Sequence, residues 1–184
     1  MSRYKIWDQH GLNFVTLTVN DWTDVFIRKQ YKDILLDSLR FCQAEKGLVI
    51  CAYVVMSSHV HLAVAASGSL TLSDILRDFK KFTSRRILQE IQTGGYESRK
   101  EWIMERFVCR DNEKADSQLH QFWKPDNHPI ALFTQPVIAQ KIDYIHENPV
   151  KEGWVERAEH YLYSSASNYA TGSGLLNVTL LDVY

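Results

Sequence analysis

Leu48-Val-Ile-Cys-Ala-Tyr-Val-Val55, Met56-Ser-Ser58 and His59-Val-His-Leu-Ala-Val-Ala65 form the stretch on which the reading of this chain turns. Two apolar runs rich in β-branched residues, parted by a short polar break, predict a β-hairpin. Successive side chains of a strand point to opposite faces, so His59 and His61 share one face and Val60 points the other way. Two neutral imidazoles one strand repeat apart can reach a single divalent cation, and histidine is the commonest metal ligand. The same spacing also suits two half-buried polar residues satisfied by hydrogen bonds, and the hairpin alone does not choose between these readings.

Outward from the hairpin the pattern alternates between strand and helix. Asn13-Phe-Val-Thr-Leu-Thr-Val19 predicts a first strand. From Asp24, a residue type suited to capping, Ile27, Tyr31, Ile34, Leu35, Leu39 and Cys42 recur at helical spacing until Gly47. Beyond the hairpin, Thr71 or Ser73 caps a second helix whose buried stripe is Leu72, Ile75, Leu76, Phe79 and Phe82. Arg77, Lys80, Lys81 and Arg85 fall on its opposite arc, where they could contact phosphates, although Asp74 and Asp78 share that arc as on a solvated face. Arg86 lies nearer the apolar side.

Residues 98–109 predict a short helix built on Trp102, Ile103 and Phe107, and residues 110–119 a polar loop. Gln121-Phe-Trp-Lys-Pro125 and Ile130-Ala-Leu-Phe133 fit a bent or interrupted strand, since Pro125 and Pro129 exclude a regular central one. The order is βαββαβ, an α+β ferredoxin-like antiparallel sheet with two helices on one face. Val60, Leu62 and Val64 then face the helices, and both histidines face the open side. A helix over 135–148, with Val137, Ile138, Ile142 and Ile145 along one side and Pro149 ending it, is the candidate to cover that side. Tyr144 and Asn148 stand one turn apart at the flank of its apolar stripe.

The chain has 184 residues, 45% of them hydrophobic and 23% charged, which fits one soluble globular domain over 1–184, with a core about 13–150 and an extension at 151–184. Its net charge of −1 means that any positive surface for a nucleic acid must be local. Cys42, Cys51 and Cys109 are odd in number and far apart, and they read as buried thiols. No secretory signal or membrane-length apolar run is apparent, so a cytoplasmic location and no membrane partner are expected. The apolar tail over 175–184 could be a docking strand or an interface.

Met56-Ser-Ser-His-Val-His-Leu62, followed by Tyr144-Ile-His-Glu-Asn-Pro-Val150 and Tyr163-Ser-Ser165, resembles the single-tyrosine HUH transposases of the IS200-like superfamily, and more closely their REP-associated tyrosine transposases. The similarity runs from the first strand to about Tyr169, and the order and spacing of the motifs match as well as their letters. Ser57-Ser58 departs from the Pro-Asn or Pro-Asp that family members often carry. The resemblance implies that His59 and His61 are ligands of a divalent metal, magnesium or manganese, that Tyr144 is the nucleophile and that Asn148 is the third ligand. Transposon-encoded relatives typically place a glutamine there.

Phe122-Trp-Lys-Pro-Asp-Asn-His-Pro129 is similar to the family's Trp-Gln-x-x-x-His stretch, with Lys124 in place of the glutamine and His128 at the comparable position. The resemblance implies single-stranded DNA with a hairpin as the substrate, cut and rejoined through a 5′-phosphotyrosine. Relatives act as dimers or alone, so a homodimer and a monomer both stay open. Arg77, Lys80, Lys81, Arg85, Arg86, Lys124 and His128 are candidate DNA contacts, with Trp123 a stacking partner for an unpaired base. The alternative is a non-catalytic nucleic-acid-binding module, since ferredoxin-like sheets also bind RNA through exposed aromatics.

Overall fold

The hairpin forms as its apolar runs predict. A computed structural model describes residues 5–95, 97–107 and 121–182. In chain order it contains β1 (Asn13–Thr18), α1 (Lys29–Lys46), β2 (Leu48–Val55), β3 (His59–Ala66), α2 (Leu72–Thr93), α3 (Lys100–Phe107), β4 (Ile130–Ala131), α4 (Gln135–Lys151) and α5 (Ala166–Thr171). The strands pair in the order β2-β3-β1-β4, every pair antiparallel. This is the ferredoxin-like order expected from βαββαβ. In β1 Thr16 lies opposite His61 and Thr18 opposite His59. Register partners share a face, so the two threonines join the histidines on one side of the sheet.

Val15, Leu17, Val60 and Leu62 are fully buried, as are Leu35, Leu39 and Ile75, and they belong to one continuous core with α1 and α2. Gly47 closes α1 in a left-handed conformation (φ 71°), its N–H bonded to the Cys42 carbonyl. A Cβ there would fall 1.9 Å from the Ser67 carbonyl oxygen, so the turn excludes every other residue. Thr71 caps α2: its hydroxyl accepts from the Asp74 N–H at 3.1 Å and donates to the Asp74 carboxylate at 2.6 Å.

Several expectations need correction. Asp24 does not cap α1, which begins at Lys29, because the Phe26 N–H is bonded to the Ser57 carbonyl at 2.8 Å and Val25 to Ile27 form a separate 3-10 turn. The Asp24 carboxylate accepts from Arg99 instead. Phe82 is 56% exposed, and the buried stripe of α2 continues through Thr83, Ile87 and Ile91. In α3 Ile103 and Phe107 are buried as expected, but Trp102 lies outside with the Arg106 guanidinium over its ring at 4.3 Å. Pro149 does not end α4. It is buried in the last turn with Ile142, Ile145 and His146, and the helix runs on to Lys151. Cys42 and Cys51 are buried thiols, whereas Cys109 and the loop expected at 110–119 lie outside the described residues.

The interrupted strand is real and lies along the outer edge of β1. Lys124 donates its N–H to the Thr18 carbonyl, Thr16 donates to Asn127, and β4 pairs with Asn13 and Phe14. The other edge, β2, is covered by the C-terminal extension. Val55 donates to the Tyr163 carbonyl, Ser165 donates to Tyr53, Thr179 donates to Ile50, and Leu176 is buried. As far as residue 182, the apolar tail is therefore docked on its own sheet. Among the described residues no helix is long and apolar enough to cross a membrane.

Candidate active site

β3 presents both histidines on the sheet face covered by α4, which packs on β2 and β3. Their ring centroids are 4.7 Å apart. Tyr144, on α4, meets His61 and Phe14 in edge-on geometry, with ring centroids 5.1 and 5.9 Å away, and Phe14 itself stacks on His61 at 5.3 Å. Strand and helix thus unite within one chain a histidine pair and a tyrosine that lies far from it in sequence. Tyr144 is 39% exposed while His61 is only 4% exposed, so the site has a buried floor and an open wall.

Burial is the main cause holding both imidazoles neutral. It pushes His59 below its ordinary value and, reinforced by His59 and Lys141 nearby, brings His61 down to about 3. The ring positions are fixed from behind. Thr16 Oγ1 lies 2.9 Å from His61 Nδ1, and Ser58 Oγ lies 3.3 Å from His59 Nδ1. His61 Nε2 is buried without a hydrogen-bond partner among the described residues.

In the tautomer whose Nδ1–H donates to Thr16 Oγ1, Nε2 offers a free lone pair, the arrangement by which a second residue orients a metal-binding histidine. A buried nitrogen in this state fits a cation. No group of three or more His, Cys, Asp or Glu residues suited to a metal occurs among the described residues, so a carboxamide or water would have to complete the coordination. Asn148 lies one turn beyond Tyr144, and its amide nitrogen donates to the Tyr144 carbonyl at 2.8 Å.

The expected DNA contacts divide into separate groups. Arg77 is paired with Asp74 at 2.6 Å and Asp78 at 3.3 Å. Lys81, Arg85 and Arg86 line a groove of about 610 Å³ between α1 and α2, with Phe41 and Phe82 beside them. Lys80 requires correction: its ammonium is turned inward, donating to the carbonyls of Lys124 and Pro125 and to Asn127 Oδ1, where it ties α2 to the edge segment. Burial pushes it down to about 8, so it remains protonated at neutral pH.

Trp123 also requires correction. It is 5% exposed and packed on Phe26, Phe79 and Phe122, and its indole N–H donates to Thr83, so no face is open for a base. His128 is exposed on the edge segment in a left-handed conformation (φ 43°).

Residues passed over in the sequence reading complete the surroundings. The ammonium groups of Lys141 and Lys151 lie 5.4 and 5.8 Å from the Tyr144 ring centre. Trp22 is 57% exposed, meets His59 edge-on at 5.5 Å and carries the Lys124 ammonium 4.8 Å above its ring. His146, inside the Tyr-Ile-His motif, is buried against Tyr169, and its Nε2 lies 2.9 Å from Ser165 Oγ. Ser165 in turn accepts from the Tyr53 N–H at 2.9 Å, which fastens α4 and the C-terminal extension to β2.

Residues 12–122 match the family model described as transposase IS200 like, a span that holds both histidines and ends before α4. No curated protein matches the chain. Among solved structures, the chain is similar over 100% of its length to 96% of a REP-associated tyrosine transposase bound to a REP hairpin, at 21% identity and a TM-score of 0.66, a likeness of fold. It also resembles, at 17% identity and a TM-score of 0.44, a candidate transposase from Deinococcus radiodurans R1, over 78% of this chain and 95% of that one. The match of the family model over more than half of the chain shows that the protein belongs to the IS200-like transposase family.

Proposed function

We propose that this protein cleaves and rejoins single-stranded DNA beside a hairpin, through a covalent 5′-phosphotyrosine on Tyr144. The observation that carries this reading is the approach of the Tyr144 ring to His61, 5.1 Å between centroids, on the same sheet face as His59. The likeness to a transposase solved with a hairpin supports the choice of substrate.

His59, His61 and Asn148 would hold the divalent cation, magnesium or manganese, which when bound polarises the scissile phosphate and offsets the charge that builds during displacement. The residues themselves do the rest. Thr16 and Ser58 keep the imidazoles oriented, and the surrounding burial keeps them uncharged. The phenolic oxygen of Tyr144 forms a bond to phosphorus as the bond from phosphorus to the 3′ oxygen breaks; the phenolic proton leaves and the departing oxygen is protonated. A 3′-hydroxyl from another strand reverses the step with no net change in phosphodiester bonds, so rejoining needs no nucleotide hydrolysis. Lys141 and Lys151, whose ammonium groups lie 5.4 and 5.8 Å from the centre of the phenol ring, are placed to meet phosphate oxygens.

The decisive experiment incubates the protein with a 3′-labelled hairpin oligonucleotide, drawn from DNA flanking the gene, in manganese. A labelled adduct that survives denaturation is expected from the wild type and not from Tyr144→Phe, and a chelator should abolish it. Binding that ignores both chelator and His59→Ala, with no adduct from the wild type, would instead establish a non-catalytic nucleic-acid-binding module.

A further inference from the structure

We propose that Trp22 is the platform on which an unpaired base stacks beside the phosphate received at His59 and His61, with Lys124 placed for that nucleotide's backbone; this role presupposes the strand cleavage proposed above. Trp22 is not a core residue, since more than half of its surface is open. Its backbone is nonetheless held in an unfavourable state. Asp21 and Trp22 are consecutive non-glycine residues in the left-handed region, at φ 53° and 54°, where L-residues are disfavoured.

The turn is pinned from several sides. Asn20 donates its N–H to the Phe122 carbonyl and its amide to the Arg106 carbonyl, Trp22 donates to the Val19 carbonyl, and the Thr23 hydroxyl donates to Asn20. The result is an aromatic ring delivered to the rim of the site and not into the core. Trp22, His59, His61 and Tyr144 form a row of rings, with successive centroids 5.5, 4.7 and 5.1 Å apart.

Single-strand sites combine an aromatic face, on which any base can stack, with cations that follow the backbone. Trp22 with Lys124 above its ring supplies both elements one ring away from the histidines. Phe41 and Phe82, also exposed beside cations, line the groove between α1 and α2. The stacking role assigned from sequence to Trp123 therefore passes to Trp22.

The test measures binding in a Tyr144→Phe protein, so that no strand is cut. Labelled hairpin oligonucleotides carry a single abasic position stepped through the unpaired nucleotides, and affinity is read by fluorescence anisotropy. One abasic position should weaken binding roughly ten- to a hundredfold. Adding Trp22→Ala should weaken the intact oligonucleotide to the same degree and make that abasic position cost nothing further, while Trp22→Phe keeps most of the affinity. If Trp22→Ala binds every oligonucleotide as tightly as its parent, or if its loss multiplies with every abasic loss, the platform is overturned while strand cleavage by Tyr144 stands. If the Tyr144→Phe parent binds no oligonucleotide, both readings fall.

Discussion

His61 shows how much of a site one side chain can carry. Its Nε2 is buried with no hydrogen-bond partner among the described residues, and its Nδ1 is engaged by Thr16. Replacing Thr16 with Val removes that orienting contact at almost constant volume. Manganese affinity measured by calorimetry should then fall roughly ten- to a hundredfold, the usual cost of losing an outer-shell partner of a ligating histidine. The pair of histidines was legible in sequence because alternation along a single strand needs no partner to be read. Thr16 was not, because its place opposite His61 depends on the register between β1 and β3, which neither strand encodes alone. The burial of Trp123 was illegible for a related reason: it lies among prolines and charges in sequence, and only its pairing with Val19 and its packing on Phe26 and Phe79 place the ring in the core.

At the scale of elements, α2 and α4 each hold a polar group that serves as a fastening. The Lys80 ammonium satisfies three acceptors on the segment around residues 124–127. Lys80→Met would strand them and should cost about 2 kcal/mol, read as a lowered midpoint in chemical denaturation. His146 fastens α4. Burial pushes it down to about 4, partly opposed by Asp143, against an ordinary value of about 6.5 in the unfolded chain. Between these values the unfolded chain binds a proton that the folded chain refuses, so stability falls as the pH drops from about 6.5 to about 4. This group alone accounts for about 3 kcal/mol of that loss, and His61 acts with the same sign. His146→Gln should remove its share, flattening the difference between urea midpoints at pH 7 and pH 4.5. The helix itself was legible from its period, but its end was not. Proline disfavours continuation, and the burial of Pro149 beside Ile142 and Ile145 holds the final turn that local preference alone would have cut off.

Across the whole molecule the element order was enough to predict the sheet, because few arrangements of βαββαβ bury both helices against one face. The fate of the C-terminal tail was not legible, since an apolar segment reads alike whether it covers its own sheet or a neighbour. The chain closes the β2 edge with its own residues from Tyr163 to Thr179, and the bonds among His146, Ser165 and Tyr53 hold α4 over the same protomer's histidines. Each polypeptide thus carries both halves of its own site. In a population of mixed copies this makes the damage private: a chain with His61→Ala and a chain with Tyr144→Phe should not rescue one another, and adduct formation in their mixture should stay at background. Diluting active chains with either variant at constant total protein should lower adduct yield in simple proportion, whereas recovery in the mixture would mean that α4 is traded between copies.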